Sequence, residues 1–397
     1  MTDNLFDPAL RRILTLKPGK ERVVANRHPW IFAGAIGHER GPEDAAFADL
    51  VDQKGVRLAS GFHSRHSQIR LRALTFGSEE LSEGLLEARI VRAIARRAPL
   101  RNDRTDAVRL VHADGDELSG LIVDLYRDVA VVEIANAGLE SLKPLVAAVL
   151  QRELNLRGTL FKNDIPARET ERLSLQPDWS GEGEAGTEIL ENGLRFRVDP
   201  ASGQKTGFFL DQRENRELAR SLASGRRVLN LFSYSGAFGI YAAAGGASSV
   251  EHVDTSAPAM ELAKTNHQLN EQTTPVRFTM ADAFSFVRNR PEPAGLVIID
   301  PPALAKARGD VDRAARAYKD VNLFALRCIP ASGQMMTFSC SGHMSIDLFQ
   351  KVIFAAALDA GRRVSFVRRL TAGVDHPVSL DCPEGEYLKG FLLDVHE

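Results

Sequence analysis

The feature that most constrains this chain is a regular alternation in its C-terminal half. Short aliphatic runs at 227–232, 249–254, 276–280, 296–300 and 334–338 are separated by helix-length segments at 236–244, 257–270, 283–289, 312–329 and 345–360. Two more strand candidates follow at 362–367 and 388–393. Apolar runs of strand length fit strands buried on both faces. A strand–helix series of this kind predicts a parallel sheet with helices on both faces. In such a sheet the loops that follow the strands share one edge, so the residues just past each strand are the candidate site.

The rest of the chain is built differently. At 397 residues it is too long for one ordinary core. We divide it into 1–75, 76–186 and 187–397. The first part has short strand candidates at 12–16, 30–32, 50–52, 57–62 and 68–74, punctuated by six glycines, which predicts a small β-barrel. It carries 12 Lys/Arg against 8 Asp/Glu, a local +4 in a chain of net charge -2. Lys17, Lys20, Arg22, Arg27 and His28 lie close to Trp30, a mixture that suits phosphate contact and base stacking. A solvated basic face is the other reading of the same residues.

The middle part opens with a helix expected over 79–97. Arg89, Arg92 and Arg96 fall on one stripe of it, open to RNA backbone or to solvent. A hairpin is predicted where 120–125 and 129–135 flank Tyr126-Arg127-Asp128, and a helix over 141–153. The polar, Gly-rich stretch 176–187 reads as a linker or long loop.

Composition excludes several classes. A 44% hydrophobic and 26% charged chain is that of a soluble globular protein. No apolar stretch approaches the roughly 18 residues a membrane span needs. The start, MTDNLFDPALRR, has no apolar secretory core, so a cytoplasmic protein is expected. Cys328, Cys340 and Cys382 form no CxxC or His/Cys cluster, so neither a disulfide framework nor a metal site is expected.

The strand ends carry the chemistry. The first strand runs into Ser233-Tyr234-Ser235-Gly236-Ala237-Phe238-Gly239. A dinucleotide site would show G-x-G-x-x-G here, but Ser holds the first two glycine positions, which disfavours a pyrophosphate cradle. Gly236 is expected to let a cofactor approach the backbone. Asp254, ending the second strand, suits ribose hydroxyls. Asp282, after the third, suits an adenine amino group, with Ala283 offering its N–H. Each Asp alone fits a helix N-cap; together they point to S-adenosylmethionine (SAM).

Asp300-Pro301-Pro302 ends the fourth strand in a rigid turn without proline N–H donors, which holds carbonyls and the Asp oxygen toward a flat base edge. Cys340 ends the fifth, in Phe338-Ser339-Cys340-Ser341-Gly342. C5 of cytosine is a poor nucleophile toward a methyl sulfonium. A thiolate added at C6 makes C5 enamine-like. Such a target must be unstacked to present C6. Cys328, within Leu326-Arg327-Cys328-Ile329, reads instead as a small buried hydrophobe.

At these residues the chain resembles the PUA-domain-containing cytosine-C5 methyltransferases of 23S ribosomal RNA, along nearly its whole length. The shared stretches include Arg27-His28-Pro29-Trp30, Lys205-Thr206-Gly207-Phe208-Phe209-Leu210-Asp211-Gln212-Arg213, Val253-Asp254-Thr255-Ser256, Tyr318-Lys319-Asp320-Val321-Asn322, the Cys340 run, and Pro383-Glu384-Gly385-Glu386-Tyr387-Leu388-Lys389-Gly390. The resemblance implies an N-terminal PUA domain, a central α/β subdomain and a C-terminal Rossmann-like class I methyltransferase domain. It implies SAM as cofactor, Cys340 as nucleophile, and Phe209, Asp211, Gln212 and Arg213 along the methionine end of SAM. 23S rRNA or a large-subunit precursor would be the partner, and a homodimer is also implied.

Two departures stand out. Ala303-Leu304 follows Pro302 where the family often has Lys-Phe, and Ser235 replaces the usual Thr. The expected site is therefore Cys340 and Asp300 for chemistry, with Ser233, Gly236, Asp254, Thr255, Asp282 and Ala283 joining the methionine-end residues around SAM. Pro301, Pro302, Lys17, Arg27 and Trp30 are expected on the RNA. Methylation of a base nitrogen at the Asp300 turn, or a non-catalytic RNA-binding assembly factor, are the alternatives.

Overall fold

A computed structural model describes residues 5–289 and 291–396. The chain forms two compact units: one holds the chain up to Ile189 with Val198–Leu210 and Val374–Gly385, the other Leu190–Arg197, Asp211–Gly373 and the C-terminal segment from Glu386.

The first unit contains two sheets. Strands β1 (Arg12–Leu16), β2 (Trp30–Phe32), β3 (Ile36–Arg40), β4 (Phe47–Val51), β5 (Arg57–His63) and β6 (Ile69–Phe76) pair in the order β2-β6-β5-β4-β1-β3. Strands β7 (Ala107–His112), β8 (Leu121–Tyr126), β9 (Val129–Ile134), β10 (Gly158–Phe161) and β11 (Asp178–Gly181) pair in the order β11-β10-β9-β8-β7. The expected hairpin is β8–β9, turning at Arg127 with φ 59°. The strand expected at 50–52 lies earlier, at Phe47–Val51, where Phe47 stacks on Phe62 of β5.

Three other readings of this unit change. The helix expected from residue 79 spans Glu83–Arg97, because the Ser82 hydroxyl accepts the Leu85 N–H and caps it there. Its arginine stripe is partly internal. Arg89 is buried and donates to the Leu74 and Glu117 carbonyls, and the neighbouring Arg97 forms a two-pronged pair with Asp116 at 2.7 Å. Those two guanidinium groups are structural and not on offer to RNA, whereas Arg92 and Arg96 remain exposed. The stretch 176–187 is not a plain loop either, since β11 pairs antiparallel with β10. A side chain at Gly158 would meet the Trp179 ring at 2.3 Å, so that glycine makes room for the tryptophan of β11.

Next along the chain come β12 (Thr187–Glu191) and β13 (Leu194–Val198), a two-stranded sheet. The second unit then follows the predicted alternation through β14 (Arg227–Leu231), β15 (Ser249–Asp254), β16 (Val276–Met280), β17 (Leu296–Ile299) and β18 (Gln334–Ser339), with β19 (Val364–Leu370) and β20 (Lys389–Val395) after them. The order is β16-β15-β14-β17-β18-β20-β19. β14 to β18 are mutually parallel, and β20 inserts antiparallel between β18 and β19, so the sheet is mixed.

The apolar runs are explained by two cores. Leu229, Leu231, Val297, Ile299 and Met335 pack on one side with helices Val311–Arg327 and Ile346–Ala360. Val228, Leu296, Ile298 and Met336 pack on the other with helices Arg213–Leu222 and Ala237–Ala244. Alternate residues of one strand thus enter opposite cores. Each such side chain contributes about 1.5–3 kcal/mol on burial.

Candidate active site

Because β14 to β18 run parallel, their C-terminal ends share one edge. β14 sits between β15 and β17, so the strand order reverses beside it, which is where open α/β sheets bind their ligands.

The loop after β14 is held in an uncommon shape. Phe232, Tyr234 and Gly236 take φ of 58°, 44° and 77°. Left-handed backbone costs a non-glycine residue roughly 1–2 kcal/mol and needs support from its surroundings. Here Asp254 Oδ2 accepts the Tyr234 N–H at 2.9 Å, Asn266 Nδ2 donates to the Ser235 carbonyl at 3.1 Å, and Phe232 meets Phe284 edge-on. A Cβ at Gly236 would lie 2.9 Å from Ala263 Cβ, so backbone angle and helix packing both call for glycine here.

The acids divide by role. Asp254 is half-buried, and its other oxygen accepts the Ser256 N–H at 2.9 Å. Ser256, not Asp254, caps the following helix, Ala257–Leu269. Asp282 is itself the cap of the helix Ala283–Arg288, accepting from the Ser285 N–H and hydroxyl at 2.9 and 2.8 Å. Burial opposes its charge, but these bonds win and hold its carboxyl below the ordinary value. Thr255 is exposed, Ser233 and Ala283 are buried, and the Ser233 hydroxyl faces Met260 sulfur at 3.8 Å.

Asp211, Gln212 and Arg213 are buried at the start of the helix Arg213–Leu222. Tyr387 donates its hydroxyl to Asp211 at 2.6 Å, and the Gln212 carbonyl oxygen accepts from Asn215. Gln212 Nε2 is buried and meets no acceptor among the described residues. A buried donor of this kind suits a polar ligand group, and carboxylates at successive strand ends suit hydroxyl and amino groups. This donor and acceptor set fits SAM. Phe209 belongs to the first unit, where Lys205 Nζ lies 4.2 Å over its ring.

The residues expected at the reacting end lie where β17 and β18 finish side by side. Asp300 is half-buried, Pro301 buried and Pro302 exposed. Cys340 is half-buried and its thiol donates to the Pro301 carbonyl at 3.7 Å. Both neighbours of Cys340 are fixed. Ser339 Oγ donates to Tyr318 OH at 2.9 Å, Ser341 Oγ lies 3.1 Å from the same hydroxyl and accepts the Ala305 N–H, and Lys389 Nζ donates to the Ser341 carbonyl at 3.0 Å. Burial raises Tyr318 above the ordinary phenol value, so it stays protonated. Tyr318, Ser339, Ser341 and Lys389 had no role in the sequence reading, although all four lie in the stretches that carried the resemblance. Cys328 is buried beneath the Phe324 carbonyl, as its surroundings in sequence imply.

The first-unit residues expected on RNA differ in their exposure. Lys17 is exposed, with Nζ on the Gly34 carbonyl, and Arg27 is exposed with its guanidinium over Phe76. Trp30 is half-buried, its indole N–H donating to Asp114 at 3.2 Å and Arg72 lying 5.9 Å over the ring. Phe32, which the sequence reading passed over, is 49% exposed and lines a hollow of about 500 Å³ with Lys20, Arg22, Asn26 and His28. His28, Cys382 and Glu384 bring potential ligand atoms within 4.8 Å of one another. However, His28 Nδ1 accepts the Trp30 N–H, which places its proton on Nε2, facing Glu384 at 3.2 Å. That tautomer has no lone pair at Nε2 for a metal.

Among the described residues no helix is long and apolar enough to cross a membrane. Comparison with known proteins agrees with the architecture. Residues 158–365 match the family of S-adenosylmethionine-dependent methyltransferases, and residues 14–76 match a PUA-like domain. The chain is 39% identical over 392 residues to the ribosomal RNA large subunit methyltransferase I of Shewanella denitrificans, covering 96% of this chain and 99% of the relative. It is 40% identical over 388 residues to that of Tolumonas auensis, covering 95% and 98%. A Streptococcus mutans protein assigned as a SAM-dependent methyltransferase shares the fold at TM-score 0.80 and 21% identity, covering 96% and 99%. A second structure, assigned as a methyltransferase and solved with SAH, does so at 0.82, with the same identity and coverage. With its cofactor edge, its PUA-like sheet and these full-length relatives, the chain belongs to the S-adenosylmethionine-dependent methyltransferases that carry a PUA-like domain, the family of the ribosomal RNA large subunit methyltransferases I.

Proposed function

We propose that this enzyme methylates C5 of a cytosine in large-subunit ribosomal RNA through a Cys340 thiolate adduct at C6. The observation that carries the reading is the approach of the Cys340 thiol to the Pro301 carbonyl, 3.7 Å apart at neighbouring strand ends. Bound SAM supplies an electrophilic methyl group. Asp254 would hold its ribose, Asp282 and Ala283 its adenine, and Asp211, Gln212 and Arg213 its methionine end, with Ser233, Gly236 and Thr255 along the loops between.

The chain's own residues do the rest. Asp300 and the Pro301-Pro302 turn orient an unstacked base by its edge. The Cys340 thiolate forms an S–C6 bond, which pushes electron density to C5. Once C5 is alkylated, a base takes the C5 proton, the C5–C6 double bond re-forms, and the thiolate leaves. Ala303 and Leu304 give no aromatic face to stack on that base, so the grip falls to the turn itself.

The relatives are named for large-subunit ribosomal RNA. A cytoplasmic reaction follows from such a substrate. Lys17 and Arg27 suit phosphate contacts, and Phe32, more open than Trp30, suits base stacking. The test is incubation of the purified protein with labelled SAM and 23S rRNA from cells lacking the enzyme. Label in 5-methylcytosine supports the reading. Label in an N-methylated base would move the chemistry to a base nitrogen, and no label at all would remove the enzyme reading.

A further inference from the structure

Lys389 is the first residue of β20 and pairs directly across from Ser339 in β18, one residue before Cys340. It is 4% exposed. An ammonium carries three donors, yet among the described residues Lys389 meets one acceptor, the Ser341 carbonyl at 3.0 Å. A buried charge so thinly paired is costly unless a counter-charge shares its site.

Cys340 lies between the residue that Lys389 opposes and the residue that it binds. As a thiol it donates to the Pro301 carbonyl. As a thiolate it would lose that bond and face the same carbonyl oxygen as a repulsive neighbour, so ionisation at this place needs a positive charge close by. We propose that Lys389 is that charge, a positioning residue that stabilises the Cys340 thiolate and fixes the turn bearing it through Ser341. The proposal rests on Cys340 being the nucleophile.

The electrostatics run the same way. Burial lowers Lys389 below the ordinary lysine value, while Cys340 first, and then Glu386, favour its charged form. Coupling is mutual, so what Cys340 does for the ammonium the ammonium does for the thiolate.

The test reads the thiol and not methyl transfer. Iodoacetamide alkylation of the Cys340 peptide is followed by mass spectrometry against pH in the full chain, with Cys328 and Cys382 buried. The wild-type thiol is expected to titrate below the ordinary value of about 8.5. Lys389→Met, and Lys389→Gln which keeps a donor for Ser341, should raise that midpoint by about one unit, a roughly tenfold slower reaction at pH 7. Lys389→Arg should restore most of it. A wild-type midpoint at or above about 8.5, or a folded, SAM-binding neutral variant that titrates like wild type, overturns the proposal. Full activity in Cys340→Ala would instead overturn the nucleophile reading, and the alkylation profile would still report on the pairing.

Discussion

The thiol of Cys340 lies 3.7 Å from the carbonyl oxygen of Pro301. The two residues end adjacent parallel strands, paired through Ile299 and Thr337. Their proximity follows from the sheet register and needs no ligand to create it. It joins the two strand-end motifs of the sequence, the Asp-Pro-Pro turn and the cysteine run, into one place.

Cys340→Ala should abolish methyl transfer and leave SAM affinity within about twofold, since the acids proposed for the cofactor sit on β15 and after β16, three and four strands from β18. Cys328→Ala, at a buried cysteine capping the C-terminus of the helix Val311–Arg327, should retain turnover with a stability loss of about 1 kcal/mol. Single-turnover methylation and calorimetric SAM titration on both variants check this. Comparable activity in the two variants would end the special status of Cys340.

Much of this site is local in sequence and was legible for that reason. Each strand, its exit turn and the helix cap after it lie within about 20 residues, so the aliphatic runs locate Asp254, Asp282, Asp300 and Cys340. What was not legible depends on distant partners. Arg89 and Arg97 look like surface charges until Leu74, Glu117 and Asp116 surround them. The strand at Asp178–Gly181 has no alternation of apolar residues, and its pairing with β10 brings the Trp179 ring against the distant Gly158. Lys389 reaches Ser341 across 48 residues through an antiparallel insertion that the strand–helix series does not predict.

Beneath the cofactor loop, Asn230 Nδ2 lies 3.2 Å from His252 Nδ1, and His252 Nε2 lies 2.8 Å from His267 Nε2. The Asn donates to His252, so His252 is neutral and donates to His267. Burial holds both rings below the ordinary value, aided for His252 by His267, and takes His267 down to about 4. A base depressed in the folded state binds its proton more readily when unfolded, so stability is lost as pH falls from about 6.5 toward 4. Melting temperatures across that window should fall in wild type and fall less in His252→Phe/His267→Leu. Equal slopes would contradict a neutral pair.

Gly236→Ala combines a left-handed backbone angle with contact at Ala263 Cβ. Denaturant melts should show a loss of roughly 1–2 kcal/mol or more. SAM titration should weaken with it, because the same loop is tied to Asp254 through Tyr234. An unchanged melt would show that the helix after β14 shifts freely.

Lys17→Ala/Arg27→Ala should weaken RNA binding without altering SAM affinity. If both meet phosphates of a single strand, the slope of log affinity against log salt should shrink by about 1.4. Filter binding at several salt concentrations measures it. An unchanged slope would leave the two residues as a solvated face.

The most direct test of the central claim is to trap the adduct. A 23S rRNA fragment carrying 5-fluorocytosine has no C5 proton to lose, so a C6 adduct that has accepted the methyl group cannot collapse. With SAM present, the account predicts a covalent protein–RNA species that survives denaturation and maps by mass spectrometry to Cys340. Efficient methylation of the unmodified fragment with no trapped species, or an adduct at another residue, would contradict it.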